Sequence, residues 1–246
     1  MGIPLYLAMT AYDFQNCVSL PPYIAWLSCL LSPFGTGLTN LPQKLPKDSL
    51  LILTDRIPLW DHDPVLIAKT LGDIVEEFSC RGVLLDFQRP GYPMAEVIRA
   101  VSTLPCPVCV SSIYDTGSGP VFLPAPPSDL PLPEYLKPWN GRDIWLEVAP
   151  GQESITVSDS GAKRSTIPPN TQPTGRFRDE QLHCHYDIRL DDAVEFHLFR
   201  TTEDLSELLA EGEALGVTYG VGLYQEMEKT APGEPERSCT SLQEGY

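Results

Sequence analysis

Short, continuous apolar runs alternate along the chain with segments whose apolar residues recur every three or four positions. The runs are Leu5–Ala11, Leu50–Thr54, Gly82–Asp86, Val108–Ile113, Val121–Ala125, Ile144–Val148, Val194–Phe199 and Val217–Leu223. They are rich in β-branched and aromatic residues. Strands buried on both faces of a parallel sheet read this way, because neither face meets water. The helical stripes between them are well punctuated. Asp63 and Pro64 open one that carries Ile67, Leu71, Ile74, Val75 and Phe78 on one side and stops before Gly82. Met94, Val97, Ile98, Val101 and Leu104 mark a second. Thr201 and Asp204 can cap a third, whose stripe is Leu205, Leu208, Leu209 and Leu215 before Gly216. Tyr23–Leu31, bounded by Pro21-Pro22 and Pro33, is expected to form a shorter apolar helix, and Pro133–Trp139 a turn or two.

Eight strands alternating with helices predict a single (β/α)8 barrel over residues 1–227. An open doubly wound sheet is the competing arrangement, but no Gly-rich phosphate loop follows the first strand. Two segments depart from the alternation. Residues 151–192 are polar and Pro-rich, with Lys163, Arg164, Arg176 and Arg178, and are expected to insert a hairpin (Ser154–Ser158 with Ser165–Ile167) and a loop before the seventh strand. His183–Leu190 alternates enough to add a strand there. Residues 228–246 are dominated by Glu, Pro, Gly and Ser and are expected to be a disordered acidic tail. Barrel sites lie at the carboxyl ends of strands, so Asp13, Asp55, Asp86, Asp115, Glu147 and Glu226 are expected on one face.

Composition narrows the partners. Among 246 residues, 17 Lys and Arg stand against 33 Asp and Glu, a formal charge of -16. That excess argues against nucleic acid and anionic membrane surfaces, which require clustered cations. No apolar run reaches the ~20 residues of a membrane span, and no positive n-region precedes an apolar stretch as in a secretory signal. Seven cysteines, mostly inside apolar runs, read as reduced core thiols. A cytoplasmic protein is the expectation.

The segment Gly82-Val83-Leu84-Leu85-Asp86-Phe87-Gln88-Arg89-Pro90 resembles the signature strand of family 18 glycoside hydrolases, the chitinase-like barrels. Their motif runs Asp-Gly-Val-Asp-Ile-Asp-Trp-Glu, followed by an aromatic residue and Pro. The resemblance implies that Asp86 stands where the family's Asp holds the substrate's acetamido group as internal nucleophile. It implies that Gln88 stands where the family's Glu protonates the glycosidic oxygen. Arg81 and Leu84 occupy the first two Asp positions, and Leu51-Ile52-Leu53-Thr54-Asp55 stands where a Ser-x-Gly-Gly strand is expected. The motif strand is third in this count, whereas the family carries it on the fourth. The run Tyr219–Glu226 resembles the family's last strand, which places an aromatic, here Tyr224, over the sugar. An amide has no proton to give at neutral pH. The resemblance therefore implies a degenerate barrel that binds an oligosaccharide and hydrolyses it weakly or not at all.

A second reading moves the chemistry to Glu147 and Glu226, which could serve as acid and nucleophile if ~5–5.5 Å apart. In either reading Tyr12, Asp55, Tyr114, Trp145 and Tyr224 are candidate sugar contacts. A third reading, from a different class, is a non-enzymatic scaffold whose acidic surface meets a basic protein. Other motifs have simpler explanations. Asp115-Thr116-Gly117-Ser118 and Asp159-Ser160-Gly161 match an aspartic-protease signature but read better as turns. Cys106-Pro107-Val108-Cys109 with His183-Cys184-His185 could hold zinc, but its second Cys falls inside a strand and reads as core. Asp61-His62-Asp63 could chelate a cation, although Asp63 is better used as a cap. Gly35-Thr36-Gly37 lacks a third Gly, and the loop Ser32–Asn40 is expected to line the barrel mouth. No metal or cofactor is expected, and the oligomeric state is open.

Overall fold

Backbone pairing closes the chain into a ring. The computed structural model describes residues 2–31, 37–55, 63–89, 92–158, 161–166, 174–190 and 193–230. In chain order the elements are β1 (Leu5–Met9), α1 (Ala11–Asn16), β2 (Ile24–Leu31), β3 (Leu38–Thr39), β4 (Leu50–Thr54), α2 (Pro64–Phe78), β5 (Gly82–Asp86), α3 (Tyr92–Val101), β6 (Val108–Ser111), β7 (Val121–Leu123), α4 (Leu132–Leu136), β8 (Ile144–Glu147), β9 (Glu153–Ser158), β10 (Gly161–Thr166), β11 (Phe177–Asp179), β12 (Cys184–Leu190), β13 (Val194–Phe199), α5 (Thr202–Ala214), β14 (Val217–Leu223) and α6 (Tyr224–Thr230). The order β1-β14-β8-β7-β6-β5-β4-β2 is parallel at every step, and β1 also pairs with β2 through Leu7↔Ile24. Eight parallel strands with intervening helices make a (β/α)8 barrel, as the alternation predicts.

Two expectations are corrected, and the corrections cancel in the strand count. Tyr23–Leu31 is not a helix but the barrel strand β2, parallel to β1 and β4. A short run apolar all round suits a buried helix or a strand covered on both faces, and here barrel closure demands the strand. Val194–Phe199 is not a barrel strand. As β13 it lies between β12 and β9 in a separate antiparallel sheet, order β10-β9-β13-β12-β11. Its polar Glu195 and His197 alternate with apolar neighbours, which is the mark of a half-covered antiparallel strand. The second sheet therefore follows the seventh barrel strand, β8, rather than preceding it. The motif strand β5 becomes the fourth barrel strand. Thr10 ends the first strand early by capping α1, with a reciprocal bond to Asp13. Residues 228–230, expected to open the tail, belong to α6, which reaches Thr230; residues 231–246 lie outside the described residues, as do Asp61, His62, Asp159, Ser160 and 32–36. The described end of the Ser32–Asn40 loop runs back along β2 as β3.

Strand alternation divides the core. Tyr6, Ala8, Ala25, Leu50, Ile52, Leu84, Cys109, Phe122, Trp145, Tyr219 and Val221 fill the barrel interior, while alternate residues such as Leu51, Leu53, Val83 and Leu85 pack outward beneath the helices. At the amino end the interior is sealed by aromatic rings. Trp145 and Tyr6 each meet Tyr219 edge-on, at 5.0 and 5.3 Å between centroids. Gly82 makes room for this plug, because a Cβ there would come within 2.9 Å of both the Trp145 ring and the Pro107 carbonyl.

The second sheet is tied to the barrel by charge. The guanidinium of Arg178 on β11 binds Asp204 and Glu207 of α5, and His185 Nδ1 lies 2.8 Å from Asp204. Arg200, buried at the end of β13, donates to the carbonyls of Pro126 (2.9 Å) and Pro127 (3.2 Å) in the loop after β7.

Candidate functional site

Two residues beyond the inward-facing Leu84 and Trp145, the same strand faces bring Asp86 and Glu147 to the carboxyl end of the barrel. There they line a cavity of about 190 Å³ together with Gln88, Ser111 and Ser112. Its apolar wall includes Leu27, Ile52, Leu84, Phe122, Val221 and Leu223. The volume is below the ~300–1,000 Å³ of sites for drug-sized ligands.

The end of β5 is held from several sides. Buried Asp55 accepts the backbone N–H of Gln88 at 3.0 Å and of Arg89 at 2.8 Å, one on each carboxylate oxygen. Ser111 Oγ donates to the Phe87 carbonyl at 2.6 Å, and the Tyr114 hydroxyl donates to the Arg89 carbonyl. Phe87 is wholly buried and meets Tyr114 edge-on. With the backbone so fixed, Gln88 Nε2 donates to Asp86 Oδ1 at 2.5 Å.

Glu147 faces this pair from β8. Its Oε2 accepts the Ala125 N–H at 3.2 Å. Burial pushes its carboxyl above the usual carboxylate range, the Ala125 bond opposes that, and the nearby charges of Asp86 and Glu226 push it further up. Ala125 belongs to the loop that Arg200 grips, and the Ser128 N–H in that loop donates to Glu153 of β9 at 3.1 Å. The second sheet thus braces the loop that holds Glu147.

The structure brings Asp86, Gln88 and Glu147 together, with Glu226 close enough to act on Glu147 from the exposed first turn of α6. It separates the others. Asp55 and Tyr114 support the β5 end from behind. Trp145 is 0% exposed in the amino-end plug, which corrects its expected role as a sugar platform. Tyr12 is 72% exposed on α1 and outside the cavity lining. Tyr224 packs against the outer core, with its hydroxyl donating to Glu228 at 3.1 Å. Asp13 is buried, and although burial pushes its carboxyl up, hydrogen bonds from Gln225 and Thr10 hold it below the usual range. Asp115 is bound by Arg142 at 2.7 and 2.9 Å and accepts the Gly117 N–H, so this motif is a turn. Cys109 lies inside the barrel. Among the described residues no cluster of His, Cys, Asp or Glu could hold a metal ion, and no helix is long and apolar enough to cross a membrane. Ser111 and Arg200 escaped the sequence analysis. Only Ser111, at the end of its strand, offered a signal.

A (β/α)8 barrel with carboxylates at the carboxyl ends of its strands is the class this architecture defines. No family model matches the sequence, and no curated protein does. Solved structures match it in three dimensions. The spore cortex-lytic enzyme SleL from Bacillus cereus is 10% identical, over 89% of this chain and 70% of that one, with a TM-score of 0.52. The SleL enzyme from Bacillus megaterium QM B1551 gives 10%, 89%, 70% and 0.50. A family 18 chitinase from Cycas revoluta, in complex with (GlcNAc)3, is 11% identical over 92% of this chain and 97% of that one, with a TM-score of 0.50. The chain has the same barrel fold as these enzymes, at 10–11% sequence identity.

Proposed function

We propose that the protein binds one end of an oligosaccharide in the carboxyl-end cavity and does not cleave it by the family 18 route. The observation that carries this reading is the Gln88 amide given to Asp86, at the residue that the resemblance aligns with the family's proton donor. An amide cannot protonate a leaving oxygen, whereas Gln and Asp side chains side by side are good hydrogen-bond partners for sugar hydroxyls. The strand position and the Cycas revoluta chitinase's complex with (GlcNAc)3 support a sugar as the ligand. The buried thiols of Cys29, Cys80, Cys109 and Cys184, all free, suit a reducing, cytoplasmic setting. Calorimetric titration with tetrasaccharides of glucosamine and N-acetylglucosamine tests the reading. Saturable heat without release of reducing ends is expected. No heat from either at millimolar ligand refutes it.

One observation favours a second reading, hydrolysis by relocated carboxylates. Glu147 is lifted by burial and by two like charges, as a general acid must be. In that case Glu147→Gln abolishes any hydrolysis the wild type performs, and an unaffected rate rejects the role.

A further inference from the structure

The loop after β7 reads Pro124-Ala125-Pro126-Pro127-Ser128, and Pro124 is part of the cavity wall. Proline has no N–H, so these five residues hold only two backbone donors. The Ala125 N–H goes to Glu147 Oε2 at 3.2 Å, and the Ser128 N–H goes to Glu153 Oε2 of β9 at 3.1 Å. The carbonyls are divided in the same way. That of Pro124 accepts the Tyr135 hydroxyl of α4 at 2.8 Å, while those of Pro126 and Pro127 each accept one nitrogen of the Arg200 guanidinium, at 2.9 and 3.2 Å. Arg200 is 2% exposed, and its own backbone N–H donates to the Pro150 carbonyl at 2.6 Å, so the residue is held at both ends.

A planar, charged fork suits two successive carbonyls, and bonds from a charged donor are stronger than neutral ones. Proline fixes φ at three of the first four positions, so a shift at Pro126 or Pro127 is passed on to Ala125 instead of being absorbed. None of the described residues of the second sheet lines the cavity. Its hold on the site therefore runs through this loop. We propose that Arg200, at the end of β13, and Glu153 of β9 are positioning residues for the cavity, which hold the loop so that the Ala125 N–H stays on Glu147. That bond opposes the burial that lifts the Glu147 carboxyl. The titratable groups that act on Glu147 from its other neighbours are Asp86 of β5, Glu226 and the Tyr135 hydroxyl of α4, and none of them is altered by changing Arg200 or Glu153. The consequence for a ligand rests on the sugar-binding reading above; the effect on Glu147 does not.

Carboxyl-carbon NMR of the full chain, titrated with acid and base in the absence of ligand, tests the assignment. Arg200→Gln is expected to raise the Glu147 midpoint by about one pH unit, the loss of one hydrogen bond to a charged group. Arg200→Lys, which keeps the charge but reaches one carbonyl at a time, should recover part of that shift. Glu153→Ala, which frees the Ser128 end of the loop, should raise the midpoint by a smaller step. The Asp187 midpoint, in the second sheet but away from the loop, should stay put in all three. An unmoved Glu147 midpoint in Arg200→Gln overturns the proposal, and so does an Asp187 midpoint that rises with it, because that reports a general loosening of the sheet. If Arg200→Gln fails to fold, Glu153→Ala decides by the same two criteria. Arg200→Gln should also weaken binding of the N-acetylglucosamine tetrasaccharide several-fold by calorimetry. Unchanged affinity beside a raised Glu147 midpoint overturns the consequence for the ligand, whereas a wild type that binds no sugar refutes the sugar reading and leaves the ligand-free titration to decide the positioning.

Discussion

The two ends of the barrel interior are built from the same strands, one alternation apart, and they do opposite things. On β8, Trp145 closes the amino end and Glu147 opens the carboxyl end; on β5, Gly82 yields to the Trp145 ring while Asp86 meets Gln88. The amino end is aromatic and buried. The carboxyl end gathers carboxylates, and there burial first and the nearby Asp86 and Glu226 second lift the Glu147 carboxyl. Residues that seal the interior and residues that line a cavity can thus share one strand face, and depth along the strand separates them.

Removing the plug should have the largest effect. Trp145→Ala is expected to cost about 3–5 kcal/mol in urea unfolding, and a loss below 1 kcal/mol would show that the aromatic seal contributes little. Supplying an acid at the other end sharpens the contrast through chemistry. Gln88→Glu is expected to raise release of reducing ends by roughly 10²-fold over the wild-type background, measured on a chito-oligosaccharide. No rise would argue that Asp86 is not placed as the family's nucleophile-holding Asp. Asp55→Ala, which orphans the Gln88 and Arg89 N–H groups, should destabilise by roughly 1–3 kcal/mol and weaken sugar binding. Unchanged affinity would mean that the β5 end needs no such brace.

The smallest effect is a sign that depends on pH. Glu147 is raised in the folded protein, so its contribution favours folding below the carboxylate's unfolded value and is lost as pH rises through the folded one. Glu147→Gln should therefore gain stability relative to wild type as pH climbs through that window, and match it more closely at acid pH. Asp187 in the second sheet behaves oppositely. Burial pushes it up, but the N–H groups of Thr174, Gly175 and Arg176 and the Thr174 hydroxyl bring it down to about 2. Its stabilisation is present at neutral pH and is lost as pH falls toward 2. Thermal melts of Glu147→Gln and Asp187→Asn across pH check both slopes; parallel slopes would contradict the account.

Much of this was legible in the residues, through parity. Leu50, Ile52 and Thr54 face inward, so Asp55, one position on, faces out and serves as a brace; Tyr219, Val221 and Leu223 face inward, so Tyr224 does not. The strand-end carboxylates Asp86 and Glu147 follow from the same rule, and the resemblance at Gly82–Pro90 singled out Gln88. Depth was not legible. Trp145 shares the parity of Glu147, and only its contact with Tyr219 and Gly82 shows that it lies below the cavity. Nor could a nine-residue apolar stretch such as Tyr23–Leu31 reveal its own conformation, since closure with β1 is a long-range pairing. The pairing of β13 was half legible, in the alternation of Glu195 and His197; what makes the motif strand fourth is β2, which precedes it in the barrel. Arg200 acts on the Pro126 and Pro127 carbonyls from more than seventy positions away, and no local pattern announces such a contact.

Carboxyl-carbon NMR of the labelled protein during titration with the N-acetylglucosamine tetrasaccharide tests the central claim most directly. Resonances of Asp86 and Glu147 should shift together and saturably while that of Asp187 in the second sheet stays fixed. Saturable binding that leaves Asp86 and Glu147 unmoved would place the ligand elsewhere and contradict the account.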